Sequence, residues 1–258
     1  MIEELDTFAI GDVHGRADLL GALIEAILLR RRPSRCRIIF LGDIIDRGPD
    51  SRGAMNLVEA ELKREPQSKL IRGNHEEMML RLFDIGHEKS ASWHHNGGLA
   101  TALSYGFEDA DYLDIDGLYR FKPEFAERFA NKYSSHLELL RASVPYVETS
   151  RFVLVHAGIV PNMPLQEQDP YVMRWKSAPI VNFSGELEKI VVHGHVITES
   201  RMPEVYPHRV AVDTGAYATG RLTAVRLSPN PSGLAFLSAV STDSGDIRIE
   251  EVEPILRS

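Results

Sequence analysis

Eleven polar side chains fall in six short clusters of this 258-residue chain: Asp12 and His14 in "GDVHG", Asp43, Asp46 and Arg47 in "GDIIDRG", Asn74 and His75 in "RGNHE", His156 in "HAG", His193 and His195 in "HGH", and Asp213 in "DTGA". Imidazole nitrogen with carboxylate and amide oxygen, and no sulfur, is a donor set for divalent ions such as Mn, Fe, Zn, Co or Ni. Asp12 and His14 are two residues apart, so a tight turn can aim both at one ion. Asp43 has two oxygens and can bridge two ions, while Asn74 adds a neutral oxygen that limits negative charge. His156 and His195 can complete a second ion's set. Two ions about 3.5–4 Å apart clamp a phosphoryl group and supply hydroxide at neutral pH. Arg47, and Arg174 in "YVMRWKS", are planar forks suited to phosphate oxygens. His75 neighbours Asn74 and is expected to face a leaving group, with Asp46 holding its ring.

Each cluster ends a short apolar run: "TFAI", "RIIFL", "KLI", "FVLV", "IVV" and "RVAV". Uninterrupted Val, Ile, Leu and Phe predict strands buried on both faces, and the helical patterns after the first three predict βαβ crossovers. In the helix expected from Ala17 to Leu29, residues Leu19, Leu20, Leu23, Ile24, Ile27 and Leu28 share one face. The class is α/β, and ligands of such sheets lie beyond the carboxyl ends of the strands. The clusters therefore belong to one sheet edge.

Residues 84–150 read differently, with "SASWHHNGGLATALSYG", the acidic "EDADYLDID" and a helix within "PEFAERFANKYSSHLELLRA". They are expected to form a mainly helical insertion over the sheet edge, in the position of a lid, within a single domain 1–258. From residue 209 onward, alternating segments predict antiparallel strands that finish a second sheet. Adjacent His94 and His95 diverge on a helix, so they are expected to face solvent at the surface or on the lid and not to share one ion. His87, His136 and His208 have no partner in their local sequence, Met78 and Met79 suit helix packing, and Asp213 suits a turn. "RRRPSR" is a solvated helix end.

Hydrophobic residues at 43%, charged residues at 26% and a net charge of −8 describe a globular chain, and argue against nucleic-acid or anionic membrane partners. Cys36 is the only cysteine, which excludes an intrachain disulfide and a thiolate metal cluster. With an acidic N-terminus that lacks a secretory pattern, the expected location is cytoplasmic.

Taken in order, "GDVHG", "GDIIDRG", "RGNHE", "HAG" and "GH" resemble the signatures of the calcineurin-like metallophosphoesterases. More narrowly, they resemble the phosphoprotein phosphatase branch with its bacterial and phage serine/threonine phosphatases. The likeness covers roughly residues 7–80 and 150–220, and the insertion only loosely through "W…NGG…T…SYG". It implies a β-sandwich flanked by helices (αββα) and two divalent ions, manganese first. By resemblance Asp12, His14 and Asp43 hold one ion, and Asp43, Asn74, His156 and His195 the other. His75 and Asp46 become the acid pair, Arg47 and Arg174 the phosphate arginines. The implied activity is hydrolysis of phosphoserine or phosphothreonine in proteins by direct attack of hydroxide on phosphorus. A symmetrical diadenosine tetraphosphate hydrolase is the alternative. That branch tends to lose the "DRG" aspartate and to read "GNHD", whereas this chain keeps Asp46 and reads "GNHE". A small-molecule phosphatase and an inert phosphoprotein-binding module are further readings, the second opposed by the intact ligand set. Two features depart from the pattern: His193 precedes the expected glycine, so the ligand role goes to His195, and Arg174 rests on a short context. Tyr217, after "DTGA", is expected to line the pocket.

Overall fold

The structure, a computed structural model, describes residues 5–30, 36–84, 93–107, 115–227 and 233–257, without the side chains of 115–122. His87, most of "RRRPSR" and most of "EDADYLDID" lie outside the described residues.

The apolar runs form two six-stranded mixed sheets. In the first, β1 (Asp6–Ile10), β2 (Cys36–Phe40) and β3 (Lys69–Leu70) run parallel. On the other side of β1, β9 (Arg221–Leu227), β10 (Ala235–Ser241) and β11 (Ile247–Val252) continue antiparallel. In the second sheet β5 (Phe152–Val155), β6 (Ile190–His193) and β8 (Arg209–Ala211) run parallel. They are flanked by β4 (Tyr146–Glu148) on one side, and by β7 (Glu204–Val205) and β12 (Ile255–Leu256) on the other.

Strand alternation explains the layering. Ala9, Ile39, Leu41, Val225 and Phe236 of the first sheet meet Phe152, Leu154, Val192 and Val210 of the second in one apolar layer. Phe8, Ile10, Ile38 and Phe40 point the other way, onto α1 (Ala17–Arg30), α2 (Ser51–Arg64) and α3 (Asn74–Asp84). Val155 and Val191 of the second sheet pack with Ile159, Met173 and Ile180 on its outer face. The result is the helix-flanked sandwich expected of the chain.

Three local expectations change. In the tail from residue 209 onward, β9 to β11 complete the first sheet, not a second one, because β9 pairs with β1. Only β8 and β12 of that tail join the second sheet. Periodicity predicted the antiparallel meander but carries no information about which parallel strand it joins. The helix expected over "MMLRLF" starts earlier, at Asn74, so Asn74 and His75 occupy its first turn. The 84–150 stretch contains α4 (Leu99–Ser104), α5 (Ile115–Lys132) and α6 (Ser134–Ala142), but also β4, an edge strand. Trp93, Tyr105, Phe125, Phe129 and Leu137 from this stretch share the core of α1–α3.

Candidate dinuclear metal centre

The six clusters follow the six parallel strands, three in each sheet: Asp12 after β1, Asp43 after β2, Asn74 after β3, His156 after β5, His195 after β6 and Asp213 after β8. Parallel pairing puts all these strand ends on one edge, and the sandwich brings the two edges face to face. The seam is hydrogen-bonded. Across it, His195 N–H of the second sheet donates to Asp12 Oδ1 of the first at 3.0 Å. Within the sheets, Val13 N–H and His14 N–H donate to the Asp43 carbonyl (3.0 and 2.8 Å) and Gly194 N–H to the His156 carbonyl at 2.9 Å.

Backbone strain concentrates here. Among the described residues seven non-glycine residues have positive φ, and five are candidate site residues: His14, Asp43, Asp46, Arg47 and His195. Each such residue costs of order 1–3 kcal/mol, so the surrounding contacts must hold them in place. Close approach also matters. A Cβ on Gly194 would sit 2.0 Å from Asp12 Oδ1, and one on Gly73 2.1 Å from Asp43 Oδ1. Neither position tolerates a side chain without displacing a carboxylate.

One donor group contains Asp43, His156 and His195, to which Asn74 adds its amide oxygen. His156 Nε2 lies 2.9 Å from Asn74 Oδ1, 3.2 Å from His195 Nδ1 and 3.5 Å from Asp43 Oδ2. His195 Nδ1 lies 3.0 Å from Asn74 Oδ1. His156 Nδ1–H donates to the Leu41 carbonyl at 2.9 Å, which leaves Nε2 with a lone pair pointing inward. Burial, reinforced by His195, holds the His156 ring well below the usual imidazole range, so it is neutral. Burial and then His75 bring His195 down to about 4. His156 Nε2 and Asn74 Oδ1 thus aim lone pairs at one point, and His195 Nδ1 joins them in the tautomer protonated on Nε2. Metal–ligand bonds of about 2.1 Å place neighbouring donors about 3.0–3.4 Å apart, close to the 2.9–3.5 Å found here. The residues present fit a divalent ion.

A second group contains His14, Asp43 and His75. His14 Nδ1–H donates to the Ile45 carbonyl at 2.9 Å, so its Nε2 faces Asp43 Oδ2 at 3.7 Å. Burial and the neighbouring His75 keep this ring neutral too. Asp43 Oδ2 is therefore common to both groups, while Oδ1 accepts the His75 backbone N–H at 3.0 Å. Asp12 stands beside them, its carboxylate accepting His195 N–H at 3.0 Å. Burial, then Asp213 and Asp43, push Asp12 well above the usual carboxylate range; burial and Glu76 do the same to Asp43. Crowded buried carboxylates of this kind call for a cation.

His75 and Asp46 meet as expected: His75 Nδ1 is 2.7 Å from Asp46 Oδ2, both side chains buried. Burial, with Arg47 beside it, lowers His75 to about 3, and burial raises Asp46 to about 8 against hydrogen bonds from Thr101 and Trp93. Arg47 is exposed at the mouth, its Nη2 3.3 Å from His75 Nε2. Tyr217 lines that mouth: its hydroxyl accepts from Arg47 Nη1 at 2.8 Å and its ring stacks on the guanidinium at 4.7 Å.

Other residues settle differently. Arg174, in α7 (Pro170–Trp175), donates to Glu77 of α3, and Trp175 Nε1 donates to the same carboxylate at 2.9 Å. The Arg174 guanidinium is thus held by a carboxylate. His193 is buried and turned aside, with Nε2 3.3 Å from Arg209. Asp213 makes the expected turn, accepting Gly215 N–H at 2.9 Å, and also crowds Asp12. His136 and His208 are buried structural residues, bound to Tyr105 Oη at 2.7 Å and the Ile180 carbonyl at 3.2 Å.

Glu76 was missed as a site residue. Its carboxylate accepts N–H groups from Asp43 (2.8 Å), Ile44 (2.8 Å) and Gly73 (2.9 Å), so it clamps the Asp43 loop to α3. An acidic residue directly after the "NH" pair was the only sequence signal, and its inward aim depends on the helix starting at Asn74.

A helix-flanked double sheet with paired His/Asp donor groups at its strand ends defines a metallophosphoesterase. The profile of the calcineurin-like phosphoesterases matches residues 6–213, and the chain belongs to that family. It is 27% identical over 230 residues to serine/threonine-protein phosphatase 1 of Salmonella typhimurium, covering 85% of this chain and 91% of that protein. It is also 27% identical over 245 residues to bis(5'-nucleosyl)-tetraphosphatase PrpE [asymmetrical] of Oceanobacillus iheyensis, covering 84% and 86%. A solved structure described as a putative diadenosine tetraphosphatase superposes with a TM-score of 0.55 at 18% identity, covering 96% of this chain and 94% of that one. Relatives at equal identity carry both activities, so they leave the branch within the family open. Among the described residues no helix is long and apolar enough to cross a membrane.

Proposed function

We propose that this chain is a two-metal phosphomonoesterase acting on phosphoserine or phosphothreonine in proteins. The observation that carries the reading is the shared oxygen, Asp43 Oδ2, standing between the His14 group and the Asn74–His156–His195 group with the His75–Asp46 pair alongside. Asp12, His14 and Asp43 would hold one divalent ion and Asp43, Asn74, His156 and His195 the other, with manganese the proposed metal. When bound, such ions supply Lewis-acid activation of water and neutralise phosphate charge.

The chain's own residues do the rest. Arg47, exposed and already oriented by Tyr217, can leave its contact with His75 for the phosphate oxygens. Arg174 has one nitrogen on Glu77 and would reach phosphate only with its terminal nitrogens. His75 Nε2 faces the mouth and would donate a proton to the departing ester oxygen while Asp46 keeps Nδ1 in register. A dianionic phosphate beside the ring opposes the burial that otherwise disfavours its charged form. Retention of Asp46 favours a monoesterase, because the serine or threonine alkoxide is a poor leaving group that needs this proton.

A second reading, hydrolysis of a dinucleoside tetraphosphate, is favoured by the tetraphosphatases among the relatives. A rate panel with manganese present separates the two. It compares phosphoserine, phosphothreonine and phosphotyrosine peptides, a phosphodiester and diadenosine tetraphosphate. The proposal expects the phosphoserine and phosphothreonine peptides to lead; a clear lead for the dinucleotide would replace it.

A further inference from the structure

The Asp46–His75 pair is held from outside the strand-end loops. Asp46 Oδ1 accepts the Thr101 hydroxyl at 2.6 Å and the indole N–H of Trp93 at 3.0 Å. The Thr101 hydroxyl lies 2.9 Å from Asp46 N and 2.9 Å from Ser51 Oγ. A hydroxyl has one proton and two lone pairs. Since Asp46 N–H can only donate, the Thr101 proton goes to Oδ1 and its lone pairs accept Asp46 N–H and the Ser51 hydroxyl. Two donors on Oδ1 leave Oδ2 as the oxygen that faces His75 Nδ1.

These contacts oppose a specific weakness. Asp46 and Arg47 are consecutive non-glycine residues with φ of 75° and 69°, a left-handed conformation that L-residues disfavour. Asp46 N–H is held by Ser51 and Thr101, and Arg47 N–H by the Gly97 carbonyl at 3.2 Å. Trp93, Gly97 and Thr101 all belong to the stretch leading into and through α4, far from Asp46 in sequence. Trp93 is itself buried, its ring 5.2 Å from Phe125 of α5. The helical stretch thus reaches the acid pair through two side chains and one carbonyl.

We propose that Trp93 and Thr101 are positioning residues which fix the Asp46 carboxylate against His75, and that they serve protonation of the leaving group and not phosphate binding. The inference rests on the phosphomonoesterase reading. In the reaction a water oxygen bonds to phosphorus as the ester P–O bond breaks. As the dianionic phosphate binds and Arg47 leaves the ring, His75 takes up a proton on Nε2. That proton passes to the departing oxygen, and the proton lost by the attacking water returns to the imidazole or solvent. No other reactant is consumed. Misdirecting Asp46 lets the ring rotate, which harms this transfer and leaves in place the residues proposed to hold the ions, Asp12, His14, Asp43, Asn74, His156 and His195.

Leaving groups supply the test. The manganese-loaded protein is assayed with p-nitrophenyl phosphate, whose phenolate departs without a proton, and with a phosphoserine peptide, whose alkoxide does not. In Thr101→Val the kcat for the peptide should fall about ten- to hundredfold, the range for partners that orient a working imidazole. The kcat for p-nitrophenyl phosphate should change less than about threefold on the same reasoning, with KM unchanged for both. Thr101→Ser should restore the peptide rate, and Trp93→Phe should reproduce the split if Thr101→Val folds poorly. The low-field imidazole proton signal of His75, read by NMR in the absence of substrate, should weaken in Thr101→Val. Equal losses on both substrates, or no loss on either, would overturn the inference. A wild-type protein inactive on both would instead overturn the phosphomonoesterase reading.

Discussion

Asp46 Oδ2 stands 2.7 Å from His75 Nδ1, although Asp46 lies in the loop after β2 and His75, 29 residues on, in the first turn of α3. The carboxylate orients the ring so that Nε2 faces the mouth beside Arg47. Asp46→Asn keeps the shape but can present an amide N–H to Nδ1 and select the wrong tautomer. We expect kcat on a phosphoserine peptide to fall about 10²–10⁴-fold with KM little changed, as for loss of general acid catalysis. Steady-state kinetics check this, and a KM effect without a kcat effect would contradict the assignment.

Removal of His156 should unmake one donor group and spare the other. Equilibrium dialysis with manganese is expected to give two ions per chain for the wild type and one for His156→Ala. Manganese at a hundredfold excess over its Kd should stabilise the wild type by about 2.7 kcal/mol per site, readable as a thermal shift. The variant should show a smaller shift.

Glu76→Gln replaces an acceptor for three backbone N–H groups with a side chain that also donates. At least one amide loses its partner, at a cost of about 1–3 kcal/mol. The Asp43 loop should loosen with it. A lower urea midpoint together with weaker manganese binding is the expected pair of effects. Loss of stability with unchanged metal affinity would make Glu76 a brace for the fold alone.

The two arginines should behave differently. Arg47→Ala should raise KM for phosphomonoesters about tenfold, the scale of one charge-assisted phosphate contact. Arg174→Ala should raise it less, because Arg174 is already engaged by Glu77. An equal rise for both would give Arg174 the full role of a phosphate fork.

Acid stability should report on a carboxylate away from the centre. Burial would raise Glu204, but hydrogen bonds from Arg257, Tyr206 and Ser200 outweigh it and bring the group down to about 2 from 4.5. A depressed folded value contributes stability that is present above pH 4.5 and is lost as pH falls toward 2. The urea midpoint of the wild type should therefore exceed that of Arg257→Ala near pH 6, and the two should converge near pH 2. A constant difference across that window would contradict this origin.

Much of the site was legible before any coordinates. Metal donors are restricted chemical types, and a strand end is marked by an apolar run that stops at glycine. Asp12, His14, Asp43, Asn74, His156 and His195 could thus be placed on one edge from the sequence. The network around Asp46 could not. Trp93 and Thr101 lie in a helical stretch with ordinary apolar spacing, and nothing in that spacing reveals an indole N–H or a hydroxyl aimed 47 and 55 residues back along the chain. The destination of β9 to β11 was hidden for a similar reason, since alternation specifies which face is buried and not which edge is paired.

By itself the sequence determined the residue types of the candidate centre and the elements that carry them, because hydrophobic runs, glycine turns and donor types are local properties. Tertiary structure decided which lone pairs meet, which arginine is already held by a carboxylate and which distant hydroxyl bonds to the Asp46 carboxylate. Those outcomes depend on how two sheets stack and where a helix begins, and a shift of one turn there moves a side chain by about 5 Å.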